Sequence, residues 1–303
     1  MMNFWQKLPK PFFALAPMDG VTDTVFRQIV ASVGKPDVFF TEFVPVDALF
    51  SKGKERALRT LKFNEAERPI IAQIWGIDPE KFNKAAALIA KLGFDGIDIN
   101  MGCPDKSVVK KGAGAALIKN PKLAKEIIEA TIKGANGLPV SVKTRLGFDI
   151  SLLKMPIAAL TIHLRTTAEL SKVPAHWDEL KKIRKNLKSK TLIIGNGDIK
   201  TLEEAKNKCK KYKIDGAMIG RGIFENVGFF ASRTFSPQEK INLLITHLVL
   251  FKKTYKDKKH FALMKKFVKC YVNNFDGATQ AREKLMKTKT LDELIKETRN
   301  LII

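Results

Sequence analysis

Short apolar runs bounded by turn residues recur from the start of the chain to about residue 221. They are Phe12–Met18, Val38–Val44, Pro69–Trp75, Gly96–Gly102, Pro139–Arg145, Ala158–Arg165, Leu192–Asp198 and Gly216–Arg221. Each has the length of a buried strand and too little room for a helix. Between most of them, apolar residues return at three- and four-residue spacing, which predicts helices over Thr22–Val33, Pro79–Leu92, Pro121–Ile132, His176–Leu187 and Thr201–Tyr212. Strands alternating with helices in this way predict a closed parallel (β/α)8 barrel. An open doubly wound sheet is the alternative, weakened because no GxGxxG turn follows any run. One interval is too short. Only Leu146–Ile157 separates the fifth and sixth runs, and Pro156 ends any helix there, so the fifth barrel helix is expected to be one turn or missing.

From about Ser236 the pattern becomes helical throughout, over Pro237–Thr254, His260–Asn273, Ala278–Met286 and Leu291–Asn300. Phe261, Met264, Phe267, Val268 and Tyr271 mark one apolar face, with Lys265, Lys266 and Lys269 on the others. Ser236-Pro237 and Thr290 sit where N-caps and a first-turn proline belong. The expected organisation is a barrel over residues 1–233 and a small all-helical domain over residues 234–303.

Composition adds charge to this outline. The chain has 303 residues, and 54 Lys/Arg against 31 Asp/Glu leave a net charge of +23. Such an excess favours a polyanionic partner, of which nucleic acid is the commonest. The plainer reading is a lysine-rich surface, and lysine does outnumber arginine heavily. Position argues for the partner: residues 234–303 hold 15 Lys/Arg and 7 Asp/Glu, a denser excess than in the barrel. No apolar run reaches membrane-spanning length, and Met1–Lys10 lacks the apolar core of a signal peptide, so no membrane association is expected. Three scattered cysteines, Cys103, Cys209 and Cys270, form no disulfide framework or metal-ligand pattern, which fits a reducing cytoplasm and no metal. Nothing indicates an obligate protein partner; a monomer is expected.

Barrel chemistry sits at the C-terminal ends of the strands. There the sequence offers Ala16-Pro17-Met18-Asp19, Glu42, Gln73, Asn100 with Cys103, Lys143 with Arg145, His163 with Arg165, Asn196-Gly197-Asp198 and Gly220-Arg221-Gly222. Polar strand ends are ordinary where loops meet solvent, but a lysine within a strand, between Val142 and Thr144, calls for an anion. Cys103 follows a buried run and precedes Pro104, which cannot extend a ladder, so a thiol is delivered to a loop as a candidate acid or nucleophile. A lone cysteine is more often simply buried. The glycine pairs after the last two strands, with Arg221, suit a phosphate, since glycine lets backbone N–H groups approach it.

These residues resemble the dihydrouridine synthase family, flavin enzymes that reduce uridines in transfer RNA. The likeness runs through Ala14 to Asp23, Gln73, Asn100 to Pro104, Gly112 to Ala115, Val142 to Arg145, Thr161 to His163, Gly195 to Asp198 and Gly220 to Gly222. In the tail it takes in Met264 to Phe267 and Tyr271 to Arg282. The resemblance implies FMN contacts at Pro17, Met18, Asp19, Gln73, Lys143, His163, Asn196, Gly197, Asp198, Gly220 and Arg221. It implies Cys103 as proton donor with Lys143 and His163 in the catalytic centre, and substrate contacts at Asn100, Arg145, Arg165 and Arg282. Reduced flavin would deliver hydride from N5 to uracil C6, the thiol would protonate C5, and NADPH would reduce the flavin. The implied partner is tRNA, with ribosomal RNA the other RNA the pattern admits. Two features depart from the family pattern: Leu164 replaces a glycine in Ile162-His163-Leu164-Arg165-Thr166, and the Lys143-to-His163 interval is short. The competing readings are a barrel flavoenzyme acting on a small pyrimidine such as dihydroorotate, and a flavin-free RNA-binding relative.

Overall fold

The N-terminal segment plugs the bottom of a parallel barrel whose lumen is narrow and apolar. A computed structural model of the chain describes residues 3–149, 151, 154–186 and 190–301. The strands are β1 (Phe12–Leu15), β2 (Phe39–Phe40), β3 (Val44–Pro45), β4 (Ile70–Trp75), β5 (Gly96–Met101), β6 (Val140–Arg145), β7 (Ala159–His163), β8 (Leu192–Asn196) and β9 (Gly216–Ile219). All pairings are parallel, in the order β1-β9-β8-β7-β6-β5-β4-β2, with β3 also on β4. The Ala14–Val38 bridge brings β2 back to β1, so the sheet closes into the expected barrel. β2 and β3 together fill the single position that the run Val38–Val44 predicts.

Period-two alternation sorts the side chains. Phe12, Ala14, Ala16, Phe40, Ile71, Ala159, Ile194 and Met218 fill the lumen, and Trp5 closes it from below, its ring 5.5 Å from that of Phe12. The alternate residues face outward into a larger core under the helices α2 (Thr24–Gly34), α4 (Pro79–Lys91), α6 (Pro121–Gly134), α7 (Glu179–Asn186) and α8 (Leu202–Tyr212). Short α1 (Phe4–Lys7), α3 (Lys54–Thr60) and α5 (Lys106–Val109) complete the barrel region. Leu187, at the end of one expected helix, lies outside the described residues. So do residues 150, 152 and 153 of the short fifth interval, whose described residues contain no α-helix.

Helix starts follow local chemistry. Asp23, Asp78, Asn120 and Thr201 each accept a hydrogen bond from the first turn of their helix, and Pro79 and Pro121 stand at first helical positions. In the tail, Ser236 forms a capping box with Glu239 ahead of α9 (Pro237–Tyr255), and Thr290 caps α12 (Leu291–Arg299). The expected helix over His260–Asn273 is instead a 3-10 turn, Phe261–Met264, running into α10 (Lys265–Tyr271); α11 is Ala278–Lys287. These helices join the barrel through aromatic packing. Phe26 of α2 lies 5.0 Å from Phe267 and 5.7 Å from His247, centroid to centroid.

One buried ion pair ties α2 to the connection that leads into β4. Arg27 Nε meets Glu67 Oε2 at 2.5 Å, both side chains fully buried. Arg27 also donates to the carbonyls of Thr22 and Lys62, while Thr24 and the Asn64 N–H donate to Glu67. A buried charge robbed of its partner is worse than no pair at all. Arg27→Ala should therefore cost about 3–5 kcal/mol. Urea unfolding measures it, and Arg27→Ala with Glu67→Ala should lose less than the two single losses combined.

Candidate active site

Strand parity that fills the lower lumen with apolar groups puts polar ones at its top. The inward series are Ile71, Gln73, Trp75 on β4; Asp98, Asn100 on β5; Ser141, Lys143, Arg145 on β6; and Thr161, His163 on β7. Register stacks them in layers. Gln73 stands opposite Asp98 and Asp98 opposite Ser141; Asn100 faces Lys143, and Lys143 faces Thr161. Above them, Arg145, His163, Asn196 and Met218 follow one another around the rim.

Asp98 organises the lower polar layer. Ser141 Oγ donates to its Oδ1 at 2.6 Å and Gln73 Nε2 to its Oδ2 at 2.7 Å. A carboxylate only accepts, so Gln73 must turn its nitrogen toward Asp98. That leaves Gln73 Oε1 to accept from Asn100 Nδ2 at 3.0 Å, and Asn100 Oδ1 to accept from the N–H groups of Gly102 and Cys103 at 3.1 and 2.9 Å. The second Asn100 amide hydrogen stays free for a ligand. Arg145 braces the same turn, its Nε donating to the Gly102 carbonyl at 2.8 Å and its Nη1 to those of Thr166 and Leu170. Across the turn runs Gly114, at φ +59°; a Cβ there would lie 2.7 Å from the Cys103 carbonyl oxygen, so only glycine fits.

Burial sets the protonation states. It pushes Asp98 up to about 6 and, with Arg145 nearby, pushes Lys143 down to about 8. Burial also raises the Cys103 thiol, so it holds its proton at neutral pH. His163 is driven down to about 2 by burial and by the cations Lys143, Arg145 and Arg165, and is a neutral imidazole.

A cavity of about 450 Å³ opens over the ends of β1 and β6 to β9. It gathers Pro17, Met18, Lys143, His163, Arg165, Asn196, Gly197, Asp198, Gly220 and Arg221 in one place. His163 Nδ1, Arg165 Nη1 and Thr161 Oγ1 are buried there or beside it with no hydrogen-bond partner. Native interiors rarely leave such atoms bare, and these three are placed to bond a ligand in the cavity. Asp198, at φ +47°, accepts from Arg165 Nη2 and from the Ala175 N–H, with Arg221 Nη2 3.7 Å away. Arg165 Nε also donates to the Val173 carbonyl, so its guanidinium is fixed although buried Leu164 stands where the family pattern has glycine. Arg221–Phe224 is a 3-10 turn, and a Cβ on Gly222 would strike the Ile199 carbonyl oxygen at 2.3 Å.

Other expected site residues lie elsewhere. Gln73 and Asn100 belong to the layer beneath the cavity, Asp19 lines a neighbouring cavity, and Arg282 sits on α11, donating to the Val272 carbonyl and Thr279. Sequence reasoning missed Asp98, Thr161, Lys200 and Glu225. It also missed Lys259 of the tail, which meets Asp23 at 2.9 Å and Glu42 at 3.7 Å. Asp98 and Thr161 were recoverable from period-two alternation, since they share parity with Asn100 and His163. Lys259 left no local signal.

Comparison with known proteins identifies the family and the fold. Residues 14–302 match the family model described as dihydrouridine synthase (Dus). A Staphylococcus aureus (strain COL) protein named probable tRNA-dihydrouridine synthase is 45% identical over 307 residues, covering 96% of this chain and 93% of its own. A Bacillus subtilis (strain 168) protein named probable tRNA-dihydrouridine synthase 2 is 45% identical over 308 residues, covering 96% and 94%. Among solved structures, a variant of NCR from Zymomonas mobilis superposes with a TM-score of 0.53 at 18% identity, over 86% of this chain and 99% of that one. The 2-naphthoyl-CoA reductase complex with 2-naphthoyl-CoA gives 0.55 at 12% identity, over 72% and 49%. Both share the fold.

Asp98 makes stability depend on pH in a defined window. Its folded pKa, about 6, lies above the unfolded value near 3.8, so the folded chain holds the proton more tightly. Stability is therefore lost as pH rises from 4 to 6, by about 3 kcal/mol. Asp98→Asn removes the titration. Urea unfolding across this range should show the variant gaining on the wild type up to about pH 6 and then levelling; a constant difference would mean an ordinary carboxyl.

Proposed function

The chain belongs to the dihydrouridine synthase family, and we propose that it reduces specific uridines of tRNA to 5,6-dihydrouridine with FMN as cofactor and NADPH as electron donor. The observation that carries the reading is the pairing of a cationic cavity holding bare buried donors with a protonated thiol on the adjoining strand end. The residues present fit FMN. Arg221, Lys200 and the backbone around Gly197, Gly220 and Gly222 suit its phosphate, while His163 Nδ1, Arg165 Nη1 and Thr161 Oγ1 offer hydrogen bonds to its polar edges. When bound and reduced, FMN supplies the hydride that goes to C6 of the uracil.

The chain's own groups do the rest. Lys143 keeps most of its charge at neutral pH and sets it, buried, where an anionic ring edge would lie. Cys103 gives its proton to C5 and the thiolate is reprotonated from solvent; its raised pKa keeps the proton in place until carbanion character develops. Asn100, with one amide hydrogen free, can seat the uracil while its oxygen shapes the Cys103 turn. A base inside folded RNA cannot reach this depth, so the uridine must leave its stack. The +23 charge and the basic helices support an RNA partner, with residues 1–233 holding the flavin and residues 234–303, Arg282 among them, gripping the phosphate backbone. Among the described residues no helix is long and apolar enough to cross a membrane.

Cys103→Ala tests the reading. The variant should keep the flavin absorption bands of the wild type and their bleaching by NADPH. Dihydrouridine formation on unmodified tRNA should fall by about 10²–10⁴-fold. Unchanged turnover would remove the thiol from the mechanism. Reoxidation by uracil or orotate but not by tRNA would turn the reading toward a small-pyrimidine enzyme.

A further inference from the structure

A second cavity, of about 530 Å³, opens at the same mouth of the barrel and has no role in the chemistry above. Its walls include Phe43, Pro45, Trp75, Val108, Arg56 and Asp19. Trp75 ends β4 two residues beyond Gln73, so alternation keeps it on the inward face of that strand, above the polar layer. Asp19 directly follows Met18 of the first cavity, and Asp105, which also lines the second, is two residues past Cys103. The two cavities therefore meet at the Met18–Asp19 turn, and the second borders the loop that carries the thiol.

Its chemistry is distinctive. Trp75 is a partly exposed indole, and Lys111 Nζ stands 5.6 Å from its ring centroid. Among the described residues, neither the Arg56 guanidinium nor the Asp19 carboxylate makes a hydrogen bond or an ion pair, yet both line this space. Lys52, Lys54, Lys106 and Lys110 are exposed on the flanking segments. A flat aromatic face, an acceptor with no internal partner and an arc of cations are what a nucleobase on a phosphate backbone requires: stacking, an amino group to bond, and charge neutralisation.

The geometry points to this cavity as the seat of a nucleotide next to the target uridine in the RNA, stacked on Trp75, with Asp19 facing its base and Arg56 and Lys111 its phosphates. The inference rests on the RNA reading of the neighbouring site and adds to it a second anchor, on the barrel and independent of the helical tail. Holding the adjacent nucleotide would also keep the strand from drawing the flipped uridine back out.

Intrinsic fluorescence gives a direct test, because Trp5 and Trp177 are buried at 1% and 5% exposure and Trp75 is the remaining tryptophan. Titrating unmodified tRNA into the flavin-loaded protein should quench emission saturably, and Trp75→Phe should abolish the quench while largely keeping RNA affinity. Trp75→Ala should raise KM for tRNA on the order of tenfold, well beyond any change in kcat. Arg56→Gln should lower the salt slope of RNA binding by about one. A quench that survives in Trp75→Phe, or an unchanged KM in Trp75→Ala, overturns the proposal. An equal saturable quench by NADP⁺ would also overturn it, giving the cavity to the dinucleotide. If the wild type forms dihydrouridine while the Trp75 variants behave as wild type, only this inference fails. If the wild type never forms it on RNA, the functional reading fails first.

Discussion

The site depends on one carboxylate buried where water cannot reach it. Asp98 sits in a lumen that is apolar below, and its two oxygens are met by Ser141 and Gln73. An acceptor of fixed sign at the base of the polar layer orders the two amides next above it, Gln73 and Asn100. Gln73 must present nitrogen to Asp98 and oxygen to Asn100; Asn100 must then present oxygen to the Gly102 and Cys103 N–H groups. Were the group neutral and able to donate, either amide could flip and the turn would lose its defined acceptor. The charge thus acts on Cys103 without touching it. Lys143, one layer up, offsets part of the cost of burying the anion, and the pair splits the difference: Asp98 is raised and Lys143 lowered, each mainly by burial.

The helical tail supports the same site from outside. Lys259 inserts between Asp23 and Glu42, and Lys266 donates to the Gly20 carbonyl. Burial works against the charge on Asp23, but Lys259 and the Phe26 N–H hold its pKa below the usual value; Glu42, less well compensated for its burial, is raised. Both lysines grip the segment that follows Pro17 and Met18, and the Gly20 N–H is itself held by Glu42. With Phe26, Phe224, His247 and Phe267 packed across the junction, helices and barrel share one core. The tail is therefore in mechanical contact with the rim of the first cavity, so on the proposed reading a grip on the RNA backbone is felt at the flavin site.

Much of this was legible in the chain. Eight buried runs predict eight barrel positions, and polar strand ends predict the rim, because period two and a closed lumen leave each inward side chain one place to go. Lys143, His163 and Asn196 were found by that logic. Asp98 was not, since one aspartate between Ile97 and Ile99 reads as part of an apolar run unless parity is followed through from Asn100. The strand expected over Val38–Val44 breaks into two short pieces where Thr41 to Phe43 stand opposite only Ala72 and Gln73, the Gln73 N–H donating to the Thr41 hydroxyl; Glu42, at the break, meets Gly20 and Lys259. That last contact joins residues more than 200 positions apart, and no local pattern encodes it. The family resemblance implies a substrate contact at Arg145; the fold adds a bracing role, its guanidinium engaged by three backbone carbonyls, that only the folded loops reveal.

The short interval after β6, whose described residues hold no α-helix, shows how strand ends can be aimed without one. Register in a parallel sheet is set by the ladder, and Ser141 to Thr144 are paired on both edges, to β5 and to β7. An outer helix adds apolar cover, which other side chains can provide: Leu146, Phe148, Met155 and Ile157 pack onto the core from the connection itself. What a helix cannot do from the outer layer is aim the strand ends. Here Arg145 does so, bridging the Cys103 turn on one side and the Thr166–Leu170 loop on the other, while the Leu146 N–H donates to the Arg165 carbonyl. Cover and aim are separable demands. The chain meets the first with the apolar side chains of the connection and the second with charge-assisted bonds to backbone at the barrel mouth.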